Sequence, residues 1–169
     1  MSELGRNLAI LLVRELETFQ REIDLFGDEE RLWIAAPACP NSAANLALHV
    51  AGNLRHYVGA VLGRTGYARD RDREFGLRAG TRGEVKADLR AAIRDVETIL
   101  PALPDAIFSE DFPEPVNGLR LRTDRFLMHL CAHAAYHLGQ ADYLRRVVTG
   151  ENRSSGPVPL AALTPDRTP

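Results

Sequence analysis

The sequence predicts an all-α fold, a four-helix bundle with a long crossover connection. Three observations carry that expectation. Four segments repeat apolar residues at the spacing that gives a helix one buried face. Ser, Thr, Asn or Asp stands ahead of the last three, and Gly or Pro follows all four. Long second and third connections permit a crossover, with some neighbouring helices parallel.

The first helix is expected over about Glu3 to Leu25, with Leu4, Leu8, Leu11, Leu12, Phe19 and Ile23 recurring at helical spacing and Gly27 as a stop. A loop with Pro37 and Pro40 follows. The second helix starts near Asn41 or Ser42, carries Leu46, His49, Asn53 and His56 on one stripe, and ends around Gly63 to Gly66. The run from Tyr67 to Phe75, dense in Arg, Asp and Glu without an apolar period, reads as a solvated linker. Thr81 and Glu84 form a capping box for the third helix, which Pro101 and Pro104 close. Val116-Asn117-Gly118-Leu119 suits a tight type I′ turn. The fourth helix begins after Thr123 and Asp124 and ends at Gly150. Residues 1–150 are thus expected to form one bundle domain, with 151–169 a Pro-rich tail.

Composition excludes several function classes. A net charge of −2 gives no nucleic-acid footprint. No apolar stretch approaches a membrane span, and the N-terminal run, broken by Arg14 and Glu15, lacks the core of a signal peptide. Cys39 and Cys131 cannot make a disulfide framework. Together these favour a cytoplasmic protein without nucleic-acid or membrane partners.

The histidines carry the chemistry. His49 and His56 lie in the second helix; His129, His133 and His137 lie in the fourth. Neighbours four apart share a face one turn apart, so two imidazoles can close on one metal ion. The outer two of the fourth helix are roughly 12 Å apart, so one ion can use only one adjacent pair. Gly139, which allows close approach of a neighbouring helix or subunit, and Gln140, which can hydrogen-bond a ligand or a metal-bound water, both follow His137. They favour His133 and His137, with His49 as third ligand. His56 and His129 then become pocket residues or proton shuttles. Asp142 and Glu84 are candidates to back a ligand imidazole. Ala134 stands where a zincin has its general base, which disfavours peptide hydrolysis by that route. Cys131 points away from the histidine stripe and is a poor nucleophile; Cys39 sits in a Pro-flanked loop.

His49-Val50-Ala51-Gly52-Asn53, then Arg69 to Phe75, then His133-x-x-x-His137-x-Gly139-Gln140 resembles the DinB superfamily, closest to its YfiT-like branch of metal-dependent hydrolases. The similarity spans about residues 3 to 149. It implies a four-helix bundle whose second and third helices are joined by a long crossover. It also implies His49, His133 and His137 as ligands of zinc, nickel or another divalent ion, and a homodimer. Some relatives conjugate or isomerise small-molecule substrates with a low-molecular-weight thiol such as mycothiol or bacillithiol as cosubstrate. The added His56 and His129 depart from the simplest pattern.

The leading expectation is therefore a metal-dependent thiol transferase or hydrolase with an open three-histidine site. Tyr57, Tyr136 and Gln140 could orient substrate, and Arg69, Arg71 and Arg73 could attract an anion, although for at least two of these a solvated linker is the simpler role. The alternatives are a non-catalytic metal-binding or stress-response module, and a bundle whose histidines merely pack.

Overall fold

The computed structural model describes residues 2–156 and 159–163. Among the described residues there are five α-helices: α1 (Glu3–Asp24), α2 (Ala43–Leu54), a short α3 (Arg71–Gly76), α4 (Arg82–Ile99) and α5 (Thr123–Thr149). Beyond Leu54, α2 widens into a π-helical stretch, Arg55–Leu62, that ends at Gly63. The fold is an all-α bundle of four long helices. Of the Pro-rich tail expected from residue 151, residues 157–158 and 164–169 lie outside the described residues.

Capping residues set most helix ends. Ser2 caps α1 through Gly5 N, and its own N–H donates to the Pro101 carbonyl at 3.1 Å. Ser42 with Asn45, and Thr81 with Glu84, make reciprocal capping boxes on α2 and α4. Thr123 and Asp124 fall inside the first turn of α5 rather than ahead of it, and Arg122 precedes them without a side-chain cap. Arg122 instead grips the Asp124 carboxylate with two bonds of 2.7 and 2.6 Å, and the acid sits well at the positive end of the helix. Gly150 closes α5 at φ 75°.

The loops are more structured than their composition suggests. Glu29–Trp33 forms a 3₁₀ turn that buries Leu32 and Trp33. Val116 and Leu119 exchange backbone bonds of 2.9 and 3.0 Å around Asn117 at φ 50° and Gly118 at φ 79°, as a type I′ turn requires.

Pair contacts give the topology. Gly5 lies against the Leu100 carbonyl and Asp24 pairs with Lys86 at 2.5 Å, so α1 and α4 run antiparallel. The Tyr57 ring packs on Phe126 while His49 meets His133, so α2 and α5 are antiparallel too. Along α2 and α4, by contrast, Arg55 pairs with Asp88 and Gly63 abuts Ile99, which makes these neighbours parallel. Glu15 and Ala135 line one pocket and Glu22 binds Arg145, so α1 and α5 are parallel as well. α1 and α2 make little contact and sit on a diagonal. Parallel neighbours cannot be joined by a short turn. The segment from Gly63 to Thr81 must therefore return along the bundle, as the expected crossover does, and on the way it lays α3 over α2.

The core is aliphatic and aromatic: Leu12, Leu16, Phe19 and Ile23 of α1 meet Leu89 and Val96 of α4 and Leu127 and Leu130 of α5. Arg145 and Glu22 form an ion pair with both side chains fully buried between α1 and α5. No helix among the described residues is long and apolar enough to cross a membrane.

Candidate metal centre

α2 and α5 turn their histidine stripes toward each other. His49 Nε2 lies 3.3 Å from His133 Nε2, which lies 3.2 Å from His137 Nε2. All three ligand atoms fall within 4.8 Å of one another, the spacing of a site that could hold a metal ion. Two nitrogens each about 2.0–2.1 Å from a tetrahedral ion would stand roughly 3.3–3.4 Å apart, so the separations suit a shared cation.

The opposite ring nitrogens decide which way the lone pairs point. His49 Nδ1 lies 3.0 Å from Glu74 Oε2 and 3.2 Å from Arg69 Nη2. Nδ1 can give a proton to the carboxylate or take one from the guanidinium; the shorter contact, and the two bonds Arg69 already makes to Glu74, favour Nδ1 as donor to Glu74. His137 Nδ1 donates to Gln140 Oε1 at 2.7 Å. Each bond leaves Nε2 bare and facing the centre, the arrangement in which ligand imidazoles are usually held. The Nε2 atoms of His49 and His137 face His133 Nε2 at 3.3 and 3.2 Å, so a cation or a proton can lie among them.

Burial, followed by the neighbouring His137 and His49, pushes His133 down to about 3. Burial also lowers His137, against the raising effect of Gln140. Both rings are thereby kept in the neutral form that can coordinate.

Glu74 is the residue that sequence reasoning missed. It lies in the charge run taken for a solvated linker, yet it is 3% exposed. Asp70 caps the short α3 by accepting from Arg73 N, and Asn45 Nδ2 on α2 donates to the Glu74 and Leu77 carbonyls at 2.9 and 3.0 Å. Arg69 then binds the carboxylate with both arms, at 2.7 and 2.8 Å. Burial pulls the Glu74 carboxyl upward, but the bonds from Arg69 and His49 outweigh it and hold the group below its ordinary value. Gly52 makes the space, since a Cβ there would collide with Glu74 Oε1. The legible signal was this glycine, one turn from His49 on the same face.

The structure corrects the expectation for the groups behind the ligands and places the other candidates. Glu84 and Asp142 do not back a ligand: Glu84 closes its own capping box, and Asp142 pairs with Arg145 and Arg146. Arg69 is spent on Glu74, Arg73 pairs with Asp88, and Arg71 lies over the Phe75 ring. Gln140 holds the back of His137. His56 Nε2 is 2.9 Å from Glu114 Oε1. His129 is exposed, stacked on Phe126, with its ring centroid 5.9 Å from that of His133. Tyr57 packs among Phe112, Phe126 and His56, and exposed Tyr136 stands edge-on to His137 with centroids 5.3 Å apart. Cys131 is pushed up to about 11 by burial, which leaves it a poor nucleophile; Cys39 is exposed.

The sequence model of the family described as mycothiol-S-transferase matches residues 7–150, most of the chain. The chain belongs to the mycothiol-S-transferase family. That span contains all three clustered histidines together with Arg69 and Glu74, and it agrees with the DinB-like resemblance read from the motifs. No curated protein matches the chain.

Proposed function

We propose that this protein is a metal-dependent S-transferase that joins a low-molecular-weight thiol, mycothiol in the first instance, to a small electrophilic substrate. The observation that supports this most is the convergence of three Nε2 atoms, those of His49 and His137 backed by Glu74 and Gln140, in a chain of the mycothiol-S-transferase family. His49, His133 and His137 would hold a divalent ion, zinc or nickel, both of which accept imidazole ligands. Three protein ligands rather than four favour a catalytic site over a closed structural one. When bound, the ion supplies a Lewis-acid position that keeps a thiol sulfur ionised near neutral pH.

The protein's own residues do the rest. Glu74 and Gln140 hold the two imidazoles in one tautomer and orientation. His129, exposed beside His133, takes the thiol proton and returns it to the leaving group or to the acceptor atom as the new carbon–sulfur bond forms. His56, held by Glu114, is less well placed for that role. The reaction is assigned to the cytoplasm, where both cysteines stay reduced, and to a homodimer.

The test is a mass-spectrometric assay of metal-loaded protein incubated with mycothiol and a panel of electrophiles. A conjugate formed by the wild-type protein and lost in His49→Ala supports the assignment. Silence with mycothiol, bacillithiol and glutathione would contradict it.

A further inference from the structure

Gly139 stands in the interior of α5, where glycine costs about 1 kcal/mol relative to alanine. Among the described residues nothing requires it: a Cβ built there meets no atom within 4 Å. The residue lies at the centre of an open apolar stripe, Met128, Ala132, Tyr136, Gly139, Tyr143 and Val147, whose spacing keeps every member on one outward face of α5. Met128, Tyr136, Tyr143 and Val147 are 52%, 64%, 73% and 62% exposed. None of the six positions carries a charge.

The centre of the stripe is self-complementary. Tyr136 and Tyr143 lie at equal distances on either side of the Gly139–Gln140 bond, and so do Ala132 and Val147. A two-fold axis through that bond sets two α5 helices antiparallel, with Tyr136 against the partner's Tyr143 and Ala132 against the partner's Val147, which is the isologous contact of a closed dimer. Gly139 then lets the two backbones approach at the axis. Beside it lies a groove of about 530 Å³ lined by Pro37, Pro40, Leu46, Gln140, Tyr143 and Val147, with volume enough for the partner's Tyr136. Two largely open tyrosines, each able to bury up to ~150–250 Å², together with Val147 supply a large part of the ~800 Å² that each side of a standard interface buries.

We infer that this face of α5 docks a second copy of the chain antiparallel to itself, with its two-fold axis at Gly139. The inference takes up the homodimer proposed above but not its chemistry. Because Gln140 both lines the groove and holds His137, the contact would abut the two metal centres.

Sedimentation of the metal-loaded full chain tests it, with helicity and metal content measured alongside. The expected result is a dimer that Tyr143→Glu weakens by at least about 30-fold, with helicity and metal content unchanged. In a Cys39→Ser, Cys131→Ser background, Gly139→Cys should cross-link under mild oxidation. Met128→Cys should not, because its copies would lie roughly 35 Å apart. A monomer up to about 100 µM, a dimer indifferent to Tyr143→Glu, or a cross-link at 128 rather than 139 would overturn the inference. A monomer that still conjugates thiols would overturn it and leave the catalytic reading standing.

Discussion

Gly52 and Glu74 claim the same space: the Glu74 carboxylate stands where any side chain on Gly52 would project. The missing side chain on α2 is what admits the acid of α3 to His49 Nδ1. Gly52→Ala should therefore displace Glu74, cost about 1–3 kcal/mol through overpacking, and lower Tm by roughly 3–10 °C. Metal affinity should fall with it. Calorimetry of the metal-loaded variant checks both, and an unchanged Tm would count against the close fit.

Glu74→Gln separates the charge from the shape. A carboxamide can still accept from Nδ1, but it no longer fixes the tautomer and leaves Arg69 without its counter-ion. Metal affinity should drop by about 10–100-fold, the usual cost of losing the group behind a ligand imidazole. Competition against a chromogenic chelator measures it. Glu84→Gln, which touches only the α4 cap, should leave affinity unchanged.

The depressed imidazoles predict a pH dependence for the metal-free protein. Above the ordinary histidine value of 6.5, folded and unfolded chains are both neutral at His133 and His137, so neither group affects stability. Below 6.5 the unfolded chain takes up protons that the folded chain refuses, down to about 3 at His133. Stability should be level from pH 8 to 7 and then fall as pH drops through 6 and 5. The lowered Glu74 carboxyl adds a further loss only below its ordinary 4.5. Urea titrations at fixed pH values read the slope; rising stability between pH 7 and 5 would contradict buried, neutral imidazoles at His133 and His137.

His129→Ala should keep the metal and lose roughly 10²–10⁴ in kcat, the range for a lost acid–base group. His56→Ala should lose much less. Steady-state rates of the two variants at equal metal occupancy decide between them, and equal losses would mean that proximity to His133 does not select the shuttle.

How far the sequence was legible follows from the range of each signal. Caps and turns are local, so Thr81 with Glu84, Gly150 and the Asn117-Gly118 turn could be read from a few adjacent residues. The pairing of His49 with His133 and His137 was legible because helical spacing narrows which imidazoles can meet. Glu74 was not, because α3 is too short to show a period and its burial depends on Asn45, Gly52 and Arg69 arriving from elsewhere. The π-helical stretch after Leu54 was equally hidden. It accompanies the close approach of Gly59 to Asp95 of α4, where a Cβ would stand 2.7 Å from the carboxylate, and no periodicity in α2 reports on that contact.

The central claim is that His49, His133 and His137 bind one ion together. Elemental analysis of untagged protein, wild type and five single His→Ala variants, tests it most directly. The account predicts one divalent ion per chain in the wild type, in His56→Ala and in His129→Ala, and loss of the ion in His49→Ala, His133→Ala and His137→Ala. A wild-type protein without metal under any divalent supply, or a His137→Ala protein that retains its ion while His129→Ala loses it, would contradict the claim.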